Sequence, residues 1–575
     1  MNGHLRSAAY ICHGLVVAVA VTAAGCSPAS RRAPAAAGRG GQLAVSVRIE
    51  PRTYNRFASR TETDLIVSML TQATLFRVNH VTDEVEPWLA EKSARSADGL
   101  RYTLTLPSNV TFSDGQPFSA EDVIFSFEAA YDEKSNGTLN DVMRVGGKKL
   151  QVERVDPRTV AITFPAPYAP GLRILDNLPM VPRHKLERAL KEGTITKAWG
   201  ISTPPADIVG LGPFVPLEYL PGQHMTLVRN PHYWRKDGNG ASLPYLDRVT
   251  LEVVPEQDAE LLRLESGQVD MTTSEIRPED YAPLKRAADG GRVKLMDLGV
   301  TLDPDSFWFN LKPGALGADP RAAWLQRDEF RDAISMAVDR QVFVDTVFLG
   351  AAVPVFGPVT PSNKKWYSPD VPHVPHDPAR AKQLLASIGL IDRQGDGVLR
   401  DQRNQPVRFT LLTVKGRTAL ERGAAVIRDE LKKIGITVDI ALLEPPAVVQ
   451  RLVSNSHYEA LGFHVGTTDT DPASNADFWL SSGSTHVWNI SEKAPATDWE
   501  RRIDELMAKQ MSTLDESERK RLFNDVQKIF SEHEPVLYFA ASRVYAAASS
   551  RVTNVTPAVS RPQLLWSPDS IAVVQ

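Results

Sequence analysis

The sequence predicts a large α/β protein, because strand-like and helix-like patterns alternate along most of its length. Apolar residues alternate with polar ones, as in half-buried strands, over residues 43–49, 102–106, 160–164 and 249–253. No repeat of about 20–50 residues, which would favour a solenoid, is present. With 575 residues, 42% of them hydrophobic, the chain has the length of about three to four domain-sized units.

Several helices are predicted from their start signals. Ser119 is a good N-cap, and Glu121 and Asp122 in the following turn are favoured by the helix dipole. Asp377 followed by Pro378 predicts a second start, since proline is well tolerated at the first helical position. Apolar spacing predicts further helices over 330–343, 417–434, 499–511 and 516–530, and strands at 438–442 and 536–540.

Composition and motifs exclude several classes of function. The formal net charge of −4 gives no basic surface for nucleic acid, and two cysteines cannot make a disulfide scaffold or a Cys-rich zinc module. The nucleophile elbow, the His-Glu-x-x-His zinc motif and the phosphate loop are all absent from the sequence. We therefore expect no enzyme activity, no cofactor, no resident metal and no nucleic-acid partner.

Residues 1–25 are predicted to be a signal peptide. Arg6 precedes an apolar run at 14–24, which is shorter than the roughly 20 residues of a membrane span. The run ends in Ala23-Ala24-Gly25-Cys26, which resembles a bacterial lipobox, although Ala23 stands where leucine is preferred. Lipidation of Cys26 and a flexible linker over 26–42 are predicted; an ordinary signal peptide cut near Ala24 is the alternative.

Residues 87–127 carry the first part of a family resemblance. They combine a Pro-x-Leu-Ala-Glu start, turns at Asp98-Gly99 and Asp114-Gly115, and an Ala-Glu-Asp-Val helix start. This order resembles the substrate-binding proteins of peptide-type ABC importers, solute-binding family 5. Matching segments follow at 210–214, 229–234, 264–270 and 331–340.

The resemblance implies a two-lobed periplasmic-binding-protein fold of the large peptide-binding class (type II), with an extra subdomain in lobe one. The implied protein is a monomer in the periplasm or at the cell surface, anchored to a membrane through lipidated Cys26. It would pass a small solute to an ABC permease in the inner membrane. The expected domains are lobe one at 43–294 with its extra subdomain at 80–210, lobe two at 295–533, and a return to lobe one at 534–575.

One departure from the family pattern concerns the solute's amino terminus. Peptide-binding members carry an aspartate three residues before an Asp-Pro pair, and it holds the α-ammonium group. Here Asp471-Pro472 matches the pair, but Thr468 stands at the earlier position. Either Asp469 substitutes for that aspartate, or the solute lacks a free amino terminus. Asp471 itself has a structural alternative, since an aspartate before proline often starts a turn.

Further candidate solute contacts combine aromatic rings with amides, which supply apolar area and orientation in a binding cleft. Each tryptophan among them has an equally simple alternative role in a hydrophobic core. The candidates are Trp488, Asn489, Trp479, Trp308, Asn310, Tyr54 and Asn55.

Oligopeptides are the favoured cargo. The same fold binding a non-peptide solute, such as an oligosaccharide, an opine or a metal chelate, is the main alternative. A secreted envelope hydrolase is the other alternative, and it would need an active-site constellation that the sequence does not display.

Overall fold

The computed structural model describes residues 39–59, 61–455, 458–467 and 469–574. The predicted signal peptide, Cys26 and Thr468 therefore lie outside the described residues. The strands, in chain order, are β1 Gln42–Val47, β2 Phe76–Val78, β3 Val85–Pro87, β4 Lys92–Arg95, β5 Arg101–Thr105, β6 Arg144–Val145, β7 Lys148–Lys149, β8 Gln151–Asp156, β9 Thr159–Thr163, β10 Phe214–Leu220, β11 His224–Arg229, β12 Arg248–Val253, β13 Met271–Thr272, β14 Val293–Val300, β15 Ser306–Phe309, β16 Ala352–Pro354, β17 Arg408–Val414, β18 Thr437–Leu443, β19 Ala460–Phe463, β20 Val536–Tyr538, β21 Ala540–Ser549, β22 Val552–Thr553 and β23 Ala572–Val573.

The α-helices follow amphipathic stretches of the sequence. In chain order they are α1 Glu62–Thr71, α2 Ala120–Ala130, α3 Arg183–Lys191, α4 Gln257–Glu265, α5 Tyr281–Asp289, α6 Ala322–Leu325, α7 Asp328–Ala337, α8 Arg340–Phe348, α9 Pro378–Ser387, α10 Thr418–Lys433, α11 Pro445–Gln450, α12 Ala476–Trp479, α13 Asp498–Ser512 and α14 Glu516–His533. Among these residues, none of the helices is both long and apolar enough to cross a bilayer.

Predicted helix starts are confirmed at two positions and corrected at a third. Ser119 and Asp122 form a reciprocal capping box at the start of α2, and Asp377 caps α9 by accepting the backbone N–H of Arg380. The single helix predicted over 330–343 is wrong. The helix ends before Val338, and Asp339 starts α8 by accepting two backbone N–H groups in its first turn.

The first lobe is built on an eight-stranded mixed sheet. Its order is β10-β11-β12-β1-β13-β21-β14, and β16 pairs with β21 as well. The central strand β1 runs parallel to β12 and β13, so that Val45 faces Leu251 on one side and Met271 on the other. Leu43, Val45 and Val47 are buried in the core of this lobe, as the period-two pattern predicts.

Smaller units complete the first lobe. A four-stranded antiparallel sheet, β4-β5-β9-β8, packs against α2. The hairpins β2-β3 and β6-β7 lie beside it in the chain. The side chains of Leu104, Val123, Val160 and Ile162 belong to the same hydrophobic core as β1.

The second lobe is built on a five-stranded sheet with the order β18-β17-β19-β15-β20. Strand β17 is parallel to both of its neighbours, whereas β15 is antiparallel to β19 and β20. Helices α7 to α10, α13 and α14 contribute to a separate core that includes Phe307, Phe309 and Phe409. Edge-to-face contacts join Phe309 to Phe330 and Phe409.

Two connectors between the large sheets lie beside the lobe boundary, and within the described residues the chain also reaches the first sheet at β16, between β15 and β17 of the second. It leaves the first sheet at the end of β14 and enters the second at β15, so residues 301–305 form one connector. It returns at Phe539, between β20 and β21. The domain boundaries predicted at 295 and 534 stay predictions; the strands change sheet a few residues after each of them.

Candidate functional site

A cavity of about 810 Å³ lies between the two lobes. Its first-lobe wall includes the tip of the β6-β7 hairpin and the 3₁₀ helix Gly171–Asn177, and its second-lobe wall includes the loop and short helix after β19. Leu302, Asp303 and Pro304 of one connector also line it, together with Tyr538 beside the other connector. The volume falls in the range of about 300–1,000 Å³ that is usual for small-molecule sites.

Carboxylates predominate among the charged side chains that line this cavity. Within the described part of its wall these side chains are Asp141, Arg144, Asp303, Asp469 and Asp477. The guanidinium of Arg144 is already directed to the side-chain oxygen of Asn140, at 2.8 Å. The described charged side chains of the wall therefore carry a net negative charge, although Asp303 and Asp477 also accept hydrogen bonds, from Thr467 and Ser484.

Asp469 pairs with an arginine of the opposite lobe. The Nε of Arg173 lies 2.7 and 2.8 Å from the two carboxylate oxygens of Asp469. The Nη2 of the same arginine donates to Asp83 Oδ1 at 2.6 Å and to Thr470 Oγ1 at 2.9 Å. Burial lowers the pKa of Arg173, but Asp469 and Asp83 outweigh burial and raise it above its usual range. Asp469 thus belongs to a charge cluster that joins the lobes.

Asp471 has a structural partner within the second lobe. Its carboxylate accepts Nη1 and Nη2 of Arg519, a residue of α14, at 3.0 and 2.6 Å, and both side chains are buried. Burial raises the pKa of Asp471, and Arg519 offsets part of that rise. The same carboxylate accepts the backbone N–H of Ala473 at 2.9 Å. This pair fixes the course of the loop that carries Asp469.

Among the predicted solute contacts that the structure describes, Asp469 and Trp479 line the cavity. The ring of Trp479 meets Phe523 and Phe530 edge to face, so it also belongs to the second-lobe core. Thr468 lies outside the described residues, between Thr467 and Asp469, which both line the cavity.

The other predicted contacts are buried away from the cavity wall. Trp308 Nε1 donates to the hydroxyl of Tyr458, and Trp488 Nε1 donates to Glu500, each at 3.1 Å. Asn310 donates to the Tyr458 carbonyl oxygen, and Asn489 is 4% exposed. For these four residues, contact with solute stays a prediction that their placement does not favour.

The two residues predicted at the exit of the first strand have structural surroundings. The amide of Asn55 donates to the carbonyl oxygens of Ile195 and Ala198 at 2.6 and 2.9 Å. Tyr54 is 1% exposed, and burial raises its pKa to about 12. Neither side chain is part of the cavity wall.

Sequence reasoning missed several lining residues, among them Asp141, Arg144 and Asp303, which belong to none of the quoted motifs. It also missed Arg173, which does not line the cavity itself but pairs with the lining residue Asp469. A signal did exist for Asp303, because ligands of α/β proteins gather where the chain changes direction at strand ends. No comparable signal points to Arg173, whose role depends on the approach of the other lobe.

Comparisons with known proteins agree with this architecture. A model of the bacterial extracellular solute-binding proteins, family 5, matches residues 84–486. A probable ABC transporter-binding protein of Deinococcus radiodurans is 27% identical over 550 residues, which cover 91% of each chain.

Two solved structures share the fold. The oligopeptide-binding protein AppA from Bacillus subtilis, in complex with a nonapeptide, has a TM-score of 0.70 at 24% identity, covering 94% of this chain and all of that one. The periplasmic binding protein MelB from Agrobacterium fabrum, in complex with stachyose, has a TM-score of 0.71 at 22% identity, covering 94% of this chain and 85% of that one. The two-lobed α/β fold of periplasmic solute-binding proteins is thereby confirmed, and the chain belongs to family 5 of the bacterial extracellular solute-binding proteins.

Proposed function

We propose that this protein is the solute receptor of an ABC importer, which captures oligopeptide-like solutes between its lobes and delivers them to a permease of the inner membrane. The observation that carries the proposal is the cavity of about 810 Å³ lined by both lobes. The nonapeptide bound by the similar AppA structure supports the peptide assignment. The receptor acts as a monomer and performs no chemistry on its cargo.

The charge of the cavity supports a cationic cargo. Peptides bring an α-ammonium group and backbone N–H donors, which suit walls dominated by aspartates. Two alternatives for the amino terminus remain. If Asp469 holds the ammonium group, the solute must share that carboxylate with Arg173. If the carboxylate of Asp469 stays paired with Arg173 alone, the solute is one without a free amino terminus.

A non-peptide solute is the second candidate. Hydroxyl side chains, including those of Thr138, Ser474, Ser484 and Thr485, line the cavity and could hydrogen-bond a sugar. The likeness to MelB, which was solved with stachyose, favours the same alternative. Opines and metal chelates are further cargoes that the cavity could accept.

Native mass spectrometry of the protein, purified without denaturation, tests the proposal. Micromolar affinity corresponds to about 8 kcal/mol, and tighter solutes often survive purification. We expect adducts whose masses differ by amino-acid residue masses, and unchanged masses after prolonged incubation. A single saccharide or chelate adduct would reject the peptide cargo, and turnover of any bound solute would reject the receptor itself.

We also propose that the signal peptide is removed and that Cys26 is lipidated, with the linker after Cys26 as a leash that ends before Gln42, the first residue of β1. The composition of residues 26–42 is that of a flexible linker. Two acyl chains give stable anchoring where one gives marginal binding. We expect Cys26→Ser to release the protein from the membrane fraction; retention of this variant in that fraction would contradict the anchor.

A further inference from the structure

A second cluster of chemically active side chains lies behind the cavity wall. It consists of His486, Glu492 and Glu500, which we call the His–Glu cluster. The three side chains are 1%, 4% and 3% exposed. His486 and Glu492 belong to the loop after α12, and Glu500 lies in the first turn of α13. The cluster shares no residue with the cavity wall, although Ser484 and Thr485 of the same loop line that wall.

The spacing of the cluster suits a metal ion better than direct hydrogen bonds. Nε2 of His486 lies 3.5 Å from Glu492 Oε1 and 3.6 Å from Glu500 Oε1. Hydrogen bonds between nitrogen and oxygen are usually about 2.7–3.2 Å long. Ligands held about 2.0–2.1 Å from a tetrahedral zinc ion lie about 3.3 Å from one another. All three ligand atoms lie within 4.8 Å of one another.

Two of the three side-chain atoms that face one another in the cluster also lack hydrogen-bond partners among the described residues. Within the described part of the chain, His486 Nε2 and Glu492 Oε1 are buried and have no hydrogen-bond partner. An unsatisfied buried polar atom costs about 1–3 kcal/mol, so such atoms usually indicate a missing ligand or water. Two buried carboxylates beside a neutral imidazole also leave a double negative charge, which one divalent cation would neutralise.

The far side of His486 is held in the orientation that a metal ligand needs. Its Nδ1 lies 3.2 Å from the carbonyl oxygen of Phe478. A proton on Nδ1 makes that contact a hydrogen bond and leaves the lone pair of Nε2 free for a cation. Metal-binding histidines commonly use their second nitrogen in this way.

Each glutamate is likewise fixed through its other contacts. Glu492 Oε2 accepts the backbone N–H of Ala496 at 2.8 Å. Glu500 Oε2 accepts the backbone N–H of Thr497 at 2.9 Å, as part of the capping box of α13. The indole N–H of Trp488 donates to Glu500 Oε1 at 3.1 Å. One oxygen of each carboxylate is therefore engaged by the backbone, while the other faces His486.

We propose that the His–Glu cluster is a binding site for a divalent transition metal, with zinc the best fit to one imidazole nitrogen and two carboxylate oxygens and with a water molecule as the fourth ligand. The metal would tie the loop that carries Ser484 and Thr485 to the first turn of α13, and so brace one wall of the cavity. This differs from the sequence prediction of no resident metal. The spacing His-x5-Glu-x7-Glu resembles no familiar zinc motif, and only the fold brings its members together.

The competing explanation is that His486 is protonated and that the cluster holds no metal ion. Burial lowers the pKa of His486, but Glu492 and Glu500 outweigh burial and raise it. A protonated imidazole would then compensate part of the carboxylate charge. This explanation predicts no stoichiometric binding of zinc, so metal content separates the two.

In the first measurement the whole protein is treated with a chelator to remove metal and is then titrated with zinc chloride by isothermal calorimetry. In the second, the metal content of protein purified without any chelator is determined by elemental analysis. We expect one zinc ion per chain in both measurements. Glu492→Gln keeps the size of the side chain and an oxygen for Ala496, but removes one anionic ligand. Loss of a supporting residue already weakens metal sites about 10–100-fold, so we expect a loss of at least about 100-fold.

Glu505→Gln is the matched control, because Glu505 lies on the same helix, is half exposed and pairs only with nearby Arg502 in the described structure. We expect this variant to bind zinc as the unmodified protein does. Cobalt(II) gives a second readout, since a four-coordinate site absorbs visible light strongly and Glu492→Gln should lose that absorption. Absence of zinc binding, or equal binding by Glu492→Gln, would overturn the proposal. Either result would leave the solute adducts of native mass spectrometry unchanged.

Discussion

At the scale of single residues, Glu534 carries an ionisable group that its surroundings disfavour in the charged form. It ends α14 and is 4% exposed. Its Oε1 accepts the hydroxyl of Ser335 at 2.9 Å, and its Oε2 has no partner among the described residues. Burial raises the pKa of Glu534 to about 8, and Asp332 adds to the rise, although Arg340 and Arg331 oppose it.

The sign of this shift gives a prediction. A carboxyl group whose pKa is raised on folding contributes its full stabilisation only below its ordinary pKa of 4.5. This stabilisation of the folded state is lost as the pH rises from there through about 8. We expect Glu534→Gln to flatten the decline of melting temperature between about pH 5 and 8. Glu532→Gln, at an exposed neighbouring position, is the control. Parallel curves for the unmodified protein and Glu534→Gln would contradict the assignment.

Single-residue predictions from the sequence had mixed outcomes for a physical reason. Residue type and motif position indicated Asp469 and Trp479, which both line the cavity. The same reasoning indicated Trp308 and Trp488, because a tryptophan in a core and a tryptophan in a cleft have the same local sequence pattern. Which of these surroundings it meets is decided by long-range packing.

At the scale of elements, a close approach between β10 and α1 depends on glycine. Gly212 precedes β10, and its N–H donates to the carbonyl oxygen of Thr71, at the end of α1, at 3.0 Å. A Cβ added to Gly212 would lie 2.4 Å from the carbonyl carbon of Thr71. This contact is the physical basis of the Gly-x-Gly-Pro segment at 210–213.

We therefore expect Gly212→Ala to destabilise the first lobe. Overpacking commonly costs about 1–3 kcal/mol, and here the neighbour is backbone, which cannot rotate away. Gly238→Ala is the matched control, because a Cβ there would meet nothing within 4 Å. Thermal denaturation followed by calorimetry should show a lower first transition for Gly212→Ala alone. Equal transitions in the two variants would show that α1 yields to the added methyl group.

Most elements were predictable where their signals are local. Caps and amphipathic spacing located α2, α9, α10, α13 and α14 to within a few residues. The break between α7 and α8 was missed because its apolar spacing continues through it, while Asp339 starts a new helix inside the run. A capping side chain there outweighs the periodicity.

At the scale of the whole molecule, the Arg173–Asp469 pair is an inter-lobe contact that can be tested separately from the cavity's cargo. Truncating one partner of a buried charge pair costs about 2–5 kcal/mol. We expect Asp469→Asn to shift the solute-free protein towards a more open form, with a larger radius of gyration by small-angle X-ray scattering. Asp439→Asn, which breaks a pair between β17 and β18 within the second lobe, is the control. Unchanged scattering from Asp469→Asn would show that the pair does not hold the lobes together.

The two-lobed architecture itself could be expected only through the family resemblance. The first sheet joins β1 to β12 and includes β21, strands about 200 and 500 residues apart in the chain. Period-two patterns identify strands but carry no information about their partners. The pairing of Arg173 with Asp469 was hidden for the same reason.

The position of the two connectors has a mechanical consequence. If the lobes rotate about them, the rotation axis passes beside Asp303 and Tyr538, which line the cavity. Residues near a rotation axis move little, whereas Gly146 and Ser484, on opposite walls of the cavity, move further. A bound solute would then contact residues that hardly move while the two walls of the cavity close around it. Substitutions in the walls could therefore change which solute is bound without changing the rotation of the lobes about the connectors.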